Sequence, residues 1–368
     1  MNKVLFGDVV KDIKINVDRN NNPYEHYIAG DHMCSEDLTL RTKGTFATDD
    51  VGPAFTRIFK PGQILYGSRR TYLKKIAVAD FEGITANTTF VLETKDNSVL
   101  LQELLPFIML SEAFTAWSIK KSKGSTNPYV LFSDLASFEF DLPPIEEQKI
   151  LADKLWAAYR LKESYKKLFA ATDDMVKSQF IEMFEEHNFN EVELKNLIDK
   201  TFPGEWGKED IDGSGTKVIR TTNFTNEGSL NLTDVVTRNI ETKKVEKKKL
   251  LKGDIILERS GGTQDNPVGR VVCFDADGLF VTNNFTQTLR CSSDINSLYL
   301  FYFLFIFYKR NKMIIRGMGS QTTGIQNLSM SQYQDLKIIV PPIEHQLKFA
   351  SIAQQADKSK VHYQKIVA

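Results

Sequence analysis

Leu142-Pro143-Pro144-Ile145-Glu146-Glu147-Gln148 decides the fold, because it returns as Val340-Pro341-Pro342-Ile343-Glu344-His345-Gln346, 198 residues later (143 to 341). At the same offset Ala152 meets Ala350, Ala158 meets Ala356, Lys162 meets Lys360, Tyr165 meets Tyr363 and Lys167 meets Lys365. One offset held along a helix-like stretch marks an internal duplication, and a repeat sets the architecture before any local reading.

Downstream of the first proline pair, no Pro or Gly occurs from Ile145 to about Glu186. Leu151, Leu155, Ala158, Lys162, Tyr165, Phe169, Thr172, Val176, Gln179 and Met183 follow four-three spacing there. That pattern predicts a coiled-coil seam whose polar members fix register at a cost in stability. The prolines suit a first helical turn, and Glu146 and Glu147 suit the positive end of the helix dipole. Some forty residues make a rod on the order of 60 Å. A lone helix of this length needs a partner. The more polar helix after Pro342, with Leu347 and Ala350 on its matching face, is the natural one.

Upstream, the two copies correspond more loosely. Val4 to Val10 parallels Val192 to Ile198, and Tyr27-Ile28 parallels Val218-Ile219. Gly62-Gln63-Ile64-Leu65 parallels Gly253-Asp254-Ile255-Ile256, and Asn87 to Leu92 parallels Asn284 to Leu289. Short β-branched and aromatic runs with Gly, Asn and Asp between them read as strands and turns. An apolar helix candidate follows in each copy, Val99 to Leu110 and Leu298 to Tyr308. The domains predicted are 1–142 and 187–340, with helices 143–186 and 341–368. The fold class is α+β: two pseudo-symmetric α/β domains joined by two long antiparallel helices. Loops that differ on a shared frame suit two readers of different targets.

The bulk numbers agree with folded protein: 42% apolar and 26% charged residues. With 47 basic and 47 acidic residues the net charge is zero, so any argument for nucleic acid must come from local clustering. Cys34, Cys273 and Cys291 form no CxxC pair, which predicts neither a disulfide framework nor a zinc site. Met1-Asn2-Lys3 leads into an amphipathic segment rather than a signal-peptide core, and the most apolar stretch is too short to span a bilayer. A cytoplasmic protein with no membrane contact is expected.

Two variable domains, each closed by an (L/V)PP-x-E-x-Q signature and a long helix, resemble the specificity subunit of type I restriction–modification enzymes over the whole chain. Gly62-Gln63-Ile64-Leu65 and Gly253-Asp254-Ile255-Ile256 are similar to that family's G-D-I-L strand. The resemblance implies that each variable domain reads one half of a split site in double-stranded DNA. It implies too that the helices form an antiparallel spacer on which two methyltransferase subunits dock. Catalysis would belong to those subunits and to a restriction/helicase subunit. S-adenosylmethionine, ATP and Mg would be bound there and no cofactor or metal in this chain. The second helix is shorter than the family pattern.

Local charge supplies the DNA candidates. No acid falls between Asp50 and Asp80, where Arg57, Lys60, Arg69, Arg70, Lys74 and Lys75 lie. None falls from Ala113 to Ser133, where Lys120, Lys121 and Lys123 precede Gly124-Ser125-Thr126-Asn127. The second copy is acid-free from Ile295 to Gln334, with Lys309, Arg310, Lys312 and Arg316 before Gly319-Ser320-Gln321-Thr322. Basic residues beside Ser, Thr, Asn and Gln suit phosphate positioning with base-edge readout. Clusters of Lys and Arg are often only solvated faces; recurrence at the equivalent place favours function. Ser68, Arg69, Arg70, Tyr72 and Lys74 follow the first G-x-I-L strand, and Arg259, Ser260 and Gln264 the second. With Arg220 and Asn223, these complete the candidate set. The run 243–249 contains an acid and alternates like a surface helix.

Enzyme signals are thin. Asn127-Pro128-Tyr129 is similar to an amino-methyltransferase N-P-P-Y loop but lacks the second proline. Asp80 with Glu93-Thr94-Lys95 has the spacing of a PD-(D/E)xK nuclease, yet the duplicate has Arg290-Cys291-Ser292 at that place. A stand-alone nuclease and an assembly scaffold without DNA binding are the alternative classes.

Overall fold

The computed structural model describes residues 2–18, 21–185, 187–263, 266–322 and 325–367, with backbone alone for 321–322 and 360–367. It divides into two compact units, Met1–Lys162 and Glu163–Ala368. In the first unit the strands are, in chain order, β1 (Asn2–Leu5), β2 (Val10–Asp12), β3 (His26–Ile28), β4 (Gly44–Thr45), β5 (Phe55–Phe59), β6 (Ile64–Gly67), β7 (Ile76–Val78), β8 (Gly83–Ala86), β9 (Thr89–Thr94) and β10 (Glu139–Leu142). One sheet has the order β2-β9-β6-β7 and a second β4-β3-β8-β5, while β1 pairs antiparallel with β10.

The second unit contains β11 (Asn190–Glu193), β12 (Ile198–Pro203), β13 (Lys208–Glu209), β14 (Thr216–Ile219), β15 (Val236–Asn239), β16 (Ile255–Glu258), β17 (Ser260–Gly261), β18 (Val271–Cys273), β19 (Phe280–Thr282), β20 (Thr286–Cys291), β21 (Gly319–Thr322), β22 (Ile325–Leu328) and β23 (Lys337–Val340). The sheet β12-β20-β16-β18 repeats the first unit's β2-β9-β6-β7, and β11 pairs with β23 as β1 does with β10. The second sheets share a core in which β3 runs parallel to β8, and β14 to β19. They differ at the edge: β5 adds beside β8, whereas β13 adds beside β15.

The G-x-I-L signature follows from the burial of its strand on both faces. Successive side chains of a strand point to opposite faces. Ile64 and Tyr66 therefore enter one core and Leu65 the other. Likewise Ile255 and Leu257 enter one core and Ile256 another. The glycine opens the preceding turn in a left-handed conformation, with φ of 84° at Gly62 and 89° at Gly253. The variable position closes that turn: Gln63 Oε1 accepts from the Lys60 amide (2.7 Å), and Asp254 Oδ2 from the Leu251 amide (2.8 Å).

The first long helix runs over Ile145–Phe184 and the second over Ile343–Val367. At the head of each, the signature glutamine is 1% exposed. Gln148 Nε2 donates to Val99 O (2.8 Å) and Pro143 O (2.9 Å), and its Oε1 accepts from the Leu101 amide (3.0 Å). Gln346 Nε2 donates to Pro341 O (2.8 Å), and its Oε1 accepts from the Asn296 amide (2.8 Å). Each glutamine thus clips its helix to the segment that enters an apolar helix of its own unit: Leu105–Leu110 in the first, Ser297–Arg310 in the second. The first of these helices starts later than Val99, because 96–104 forms turns.

In the second unit the long helices pack antiparallel. Phe180 and Phe184 meet Phe349 at 5.2 and 5.7 Å between ring centroids, while Leu168, Phe169, Thr172 and Met175 share a groove of about 350 Å³ with Ile352, Gln355, Ala356 and Ser359. Tyr299 stacks on Phe180, meets Phe184 edge to face and donates to Ile339 O (2.6 Å). Val176 is buried in this contact, Ala350 is buried on the second helix, and Tyr165 and Phe169 are half-buried with stacked rings.

The predicted seam needs correction at its other members. Leu151, Leu155, Ala158 and Leu347 are exposed. The stripe that packs on the first unit lies one position along, at Ala152, Trp156 and Tyr159. Trp and Tyr bury a ring while keeping a polar tip bonded, which a four-three spacing of leucines does not reveal. Trp156 Nε1 donates to Glu103 O (2.9 Å), and Tyr159 donates to Asp37 Oδ1 (2.7 Å). On the second helix Phe349, Ala350, Ala353 and Ala356 form the buried stripe.

Burial pushes the Asp37 carboxyl up, but hydrogen bonds from Arg41, Tyr159 and the Thr39 amide outweigh it and hold the group at about 2 against an ordinary 3.8. A depressed carboxylate stabilises the fold fully above the unfolded value. Its contribution, about 2 kcal/mol, is expected to fade as pH falls from about 4 towards 2, and Asp37→Asn should flatten that part of a stability-against-pH curve. Gln148→Leu leaves three backbone groups unmet and should cost about 1–3 kcal/mol in chemical denaturation; an unchanged midpoint would show that the clip is not structural.

Candidate nucleic-acid interface

In the first unit the two basic segments marked in the sequence become one surface. The turn after β6 is stitched to the Gly124 loop: Arg70 N donates to Pro128 O (2.6 Å) and Val130 N to Ser68 O (2.9 Å). Lys123 and Tyr129 exchange backbone hydrogen bonds of 2.8 and 2.9 Å. Arg69, Arg70, Tyr72, Lys120, Lys123, Ser125 and Thr126 are exposed on this surface. Not all its charge is equally available. Lys74 Nζ lies 2.5 Å from Glu36 Oε1, and Lys123 Nζ 3.1 Å from Asp134 Oδ2.

The second unit builds the same junction from a regular sheet, β17-β22-β21. Ser260 pairs with Asn327, which in turn faces Ser320, and Leu328 N donates to Arg259 O (2.8 Å). The helix Lys312–Gly317 leads directly into β21. It carries Lys312, whose Nζ donates to Asn266 Oδ1 (3.0 Å), and the half-buried Arg316. Gln321 and Thr322 belong to β21 by their backbone, and Gln264 lies outside the described residues.

Three candidates are structural instead. Ser68 is buried and its hydroxyl donates to Thr88 O (2.6 Å). Asn223 is buried; its amide donates to Asn231 O (3.0 Å) and Asp234 O (2.9 Å), and its oxygen accepts from Arg220 N (2.8 Å). Ser260 is buried and donates to Asn327 Oδ1 (2.7 Å). Each carries a polar side chain, which a chain folding back on itself also needs. Arg220 is half-buried, 3.3 Å from Asp234 Oδ2. Tyr129 and Asn327, in the middle segments, are the residues that the sequence does not mark. Their signal is positional only, a short run between the Gly-Ser loop and the next apolar residue.

A model of the family "Type I restriction modification DNA specificity domain" matches residues 15–168 and 186–366. The chain belongs to this family. Among curated relatives, the type I restriction enzyme EcoDI specificity subunit of Escherichia coli is 25% identical over 192 residues, 52% of this chain and 39% of that protein. The match thus spans well under half of that relative. Among solved structures, the type I restriction-modification system S subunit from M. genitalium superposes with a TM-score of 0.56 at 13% identity, covering 100% of this chain and 91% of that one. A chain from a structure showing complex assembly and conformational transition of the type I R-M system gives 0.52 at 18%, covering 100% and 93%. At these identities the likeness concerns the fold.

Two of the nuclease-like residues of this specificity-family chain, Glu93 and Lys95, are engaged elsewhere. Glu93 accepts from Gln63 Nε2 (2.6 Å) and pairs with Lys11 (3.2 Å), and Lys95 Nζ donates to Gly7 O (2.6 Å). Arg290 holds Asp254 at 2.7 and 2.8 Å at the corresponding place in the second copy. In both copies the pair fastens the G-x-I-L turn to its neighbouring strand, with donor and acceptor exchanged: the neutral Gln63 amide donates to Glu93, whereas Asp254 accepts from Arg290. Burial pushes the thiols of Cys273 and Cys291 up to about 12, so they are protonated at neutral pH. The run 243–249 forms the surface helix Thr242–Lys248, with Lys244 and Lys248 both paired to Glu205.

Arg70 (φ 49°) and Lys74 (φ 47°) both take the left-handed conformation. Such backbone disfavours a β-branched side chain and suits glycine. Arg70→Gly should leave stability within about 1 kcal/mol of the parent, whereas Arg70→Val should lower it by about 2 kcal/mol or more. Equal denaturation midpoints for the two variants would contradict a conformation fixed at this turn.

Proposed function

We propose that the chain is the non-catalytic DNA-specificity subunit of a cytoplasmic type I restriction–modification assembly. In this reading the domains 1–142 and 187–340 each contact one half of a bipartite, asymmetric site in double-stranded DNA. The observation that carries it is the same junction formed twice: a basic turn after a G-x-I-L strand, stitched to a Gly-Ser loop preceded by lysine or arginine. Guanidinium groups reach guanine O6 and N7, and exposed hydroxyl and amide groups address neighbouring edges and phosphates. Arg69, Arg70, Lys120, Ser125 and Thr126 take this role in one copy. Arg259, Lys312, Arg316 and Ser320 take it in the other, with Gln264, Gln321 and Thr322 assigned on sequence alone.

The long helices would present the docking surface for two methyltransferase subunits, and the exposed Leu151, Leu155 and Leu347 suit such a role better than an internal seam. Those subunits would bind S-adenosylmethionine and flip the adenine that they methylate. ATP and Mg would be used by a separate restriction subunit.

Binding of the chain with its methyltransferase partner should weaken steeply with salt, because phosphate contacts release counterions; a flat response would count against the reading. Exchanging residues 1–142 for another recognition domain should alter one half of the methylated site, read by mapping modified adenines. A change in both halves would remove the modular assignment.

A further inference from the structure

The DNA-facing surface of the first unit holds a feature that charge and hydrogen bonding leave unused. Tyr72 is 53% exposed at the tip of a short 3-10 turn, Thr71–Leu73. The turn is fixed on both sides. Thr71 is buried with its hydroxyl 3.2 Å from Ser122 Oγ, Leu73 N donates to Arg70 O (2.9 Å), and Lys74 N donates to Thr71 O (2.9 Å). The left-handed residues Arg70 and Lys74 bracket it, and Arg70 is further held by Pro128 O. A bulky residue in that conformation costs energy that the surrounding structure must offset, and such positions gather where a side chain has to be presented.

The surroundings of Tyr72 identify what it meets. Arg69, Arg70, Lys120 and Lys123 belong to the same stitched surface, where Tyr129 adds a second exposed ring. An exposed aromatic on a fixed turn amid cations fits the face of a nucleobase: the cations hold the backbone while the ring stacks. In duplex DNA a ring must enter between base steps, opening the stack and bending the helix. Among its described residues the second unit's turn itself carries no aromatic; the exposed ring beside it, Phe285, sits on the neighbouring hairpin, whose carbonyl accepts from Arg259 N (2.8 Å) and Ser260 N (3.0 Å). After β16 its turn reads Ser260-Gly261-Gly262-Thr263, and the two glycines take the positive φ values, 117° and 68°.

We propose that Tyr72 is an aromatic wedge that intercalates at a base step of the half-site read by the first domain, so that deformability of that step contributes to specificity. This rests on the DNA-reading proposal above. It also makes the two half-sites unequal: one is distorted by a ring and the other is read without one at this turn.

The test uses the chain assembled with its methyltransferase partner and a duplex carrying the site found by mapping modified adenines. 2-Aminopurine is placed in turn at steps of each half-site. Apart from the target adenines, which are flipped for methylation in either half, binding should raise its fluorescence at one further step of a single half-site. Tyr72→Ala should abolish that rise and weaken binding on the order of tenfold, as loss of a stacked base does. Tyr72→Phe should preserve both. An unchanged rise with Tyr72→Ala overturns the wedge and leaves the DNA-reading proposal standing. Loss of the methyltransferase subunit from the Tyr72→Ala assembly in size-exclusion chromatography would make the ring a protein contact and also overturn it. Failure of the parent assembly to bind the duplex would sink the DNA reading itself.

Discussion

A buried glutamine at the head of each long helix is the constraint on which the rest of the structure depends. A helix of this length has no stable position by itself, since its exposed faces contribute little. Gln148 and Gln346 supply the position by accepting a backbone amide and donating to a carbonyl in places closed to water. An unmet amide or carbonyl there costs more than the bond contributes, so the pairing is close to obligatory. The proline pair starts the helix, the closing strand pairs β1·β10 and β11·β23 end the domain, and the glutamine ties the two events together. Aromatic residues then fix the helix face: Trp156 and Tyr159 in the first unit, Phe180, Phe184 and Phe349 in the second.

Much of this could be read from the sequence because the constraint is local and occurs twice. The Pro-Pro-x-Glu-x-Gln repeat located both helices, and Gly62 and Gly253 marked turns that only a positive φ satisfies. The face of the first long helix is not legible at Leu151, Leu155 and Ala158, which are exposed. A periodic count cannot tell a leucine left in solvent from a tryptophan buried by its ring and bonded at its nitrogen. The candidate surface was legible as two separate basic segments per copy. That they join through Tyr129 and Asn327 is a long-range pairing with no local signature. Ser68, Asn223 and Ser260 show the opposite limit: the hydroxyl or amide that would read a base is the same group that satisfies a buried turn.

The neutral net charge has a physical consequence for the proposed role. Long-range attraction to DNA is weak for a chain with equal numbers of acids and bases. Binding must then rest on patches of limited extent. Within those patches Lys74 and Lys123 are partly neutralised by Glu36 and Asp134, whereas Arg69, Arg70 and Lys120 are exposed. A reader of this kind gains discrimination from shape and stacking and comparatively little from bulk attraction. The different edge strands of the two second sheets, β5 and β13, add further scope for each copy to address its own target.

Hydroxyl-radical footprinting of the chain bound with its methyltransferase partner to the methylated-site duplex tests the central claim of two linked but unlike readers most directly. The account predicts two separate protected segments flanking an unprotected spacer, with unequal patterns in the two halves. A single continuous footprint, or protection of one segment only, would contradict it.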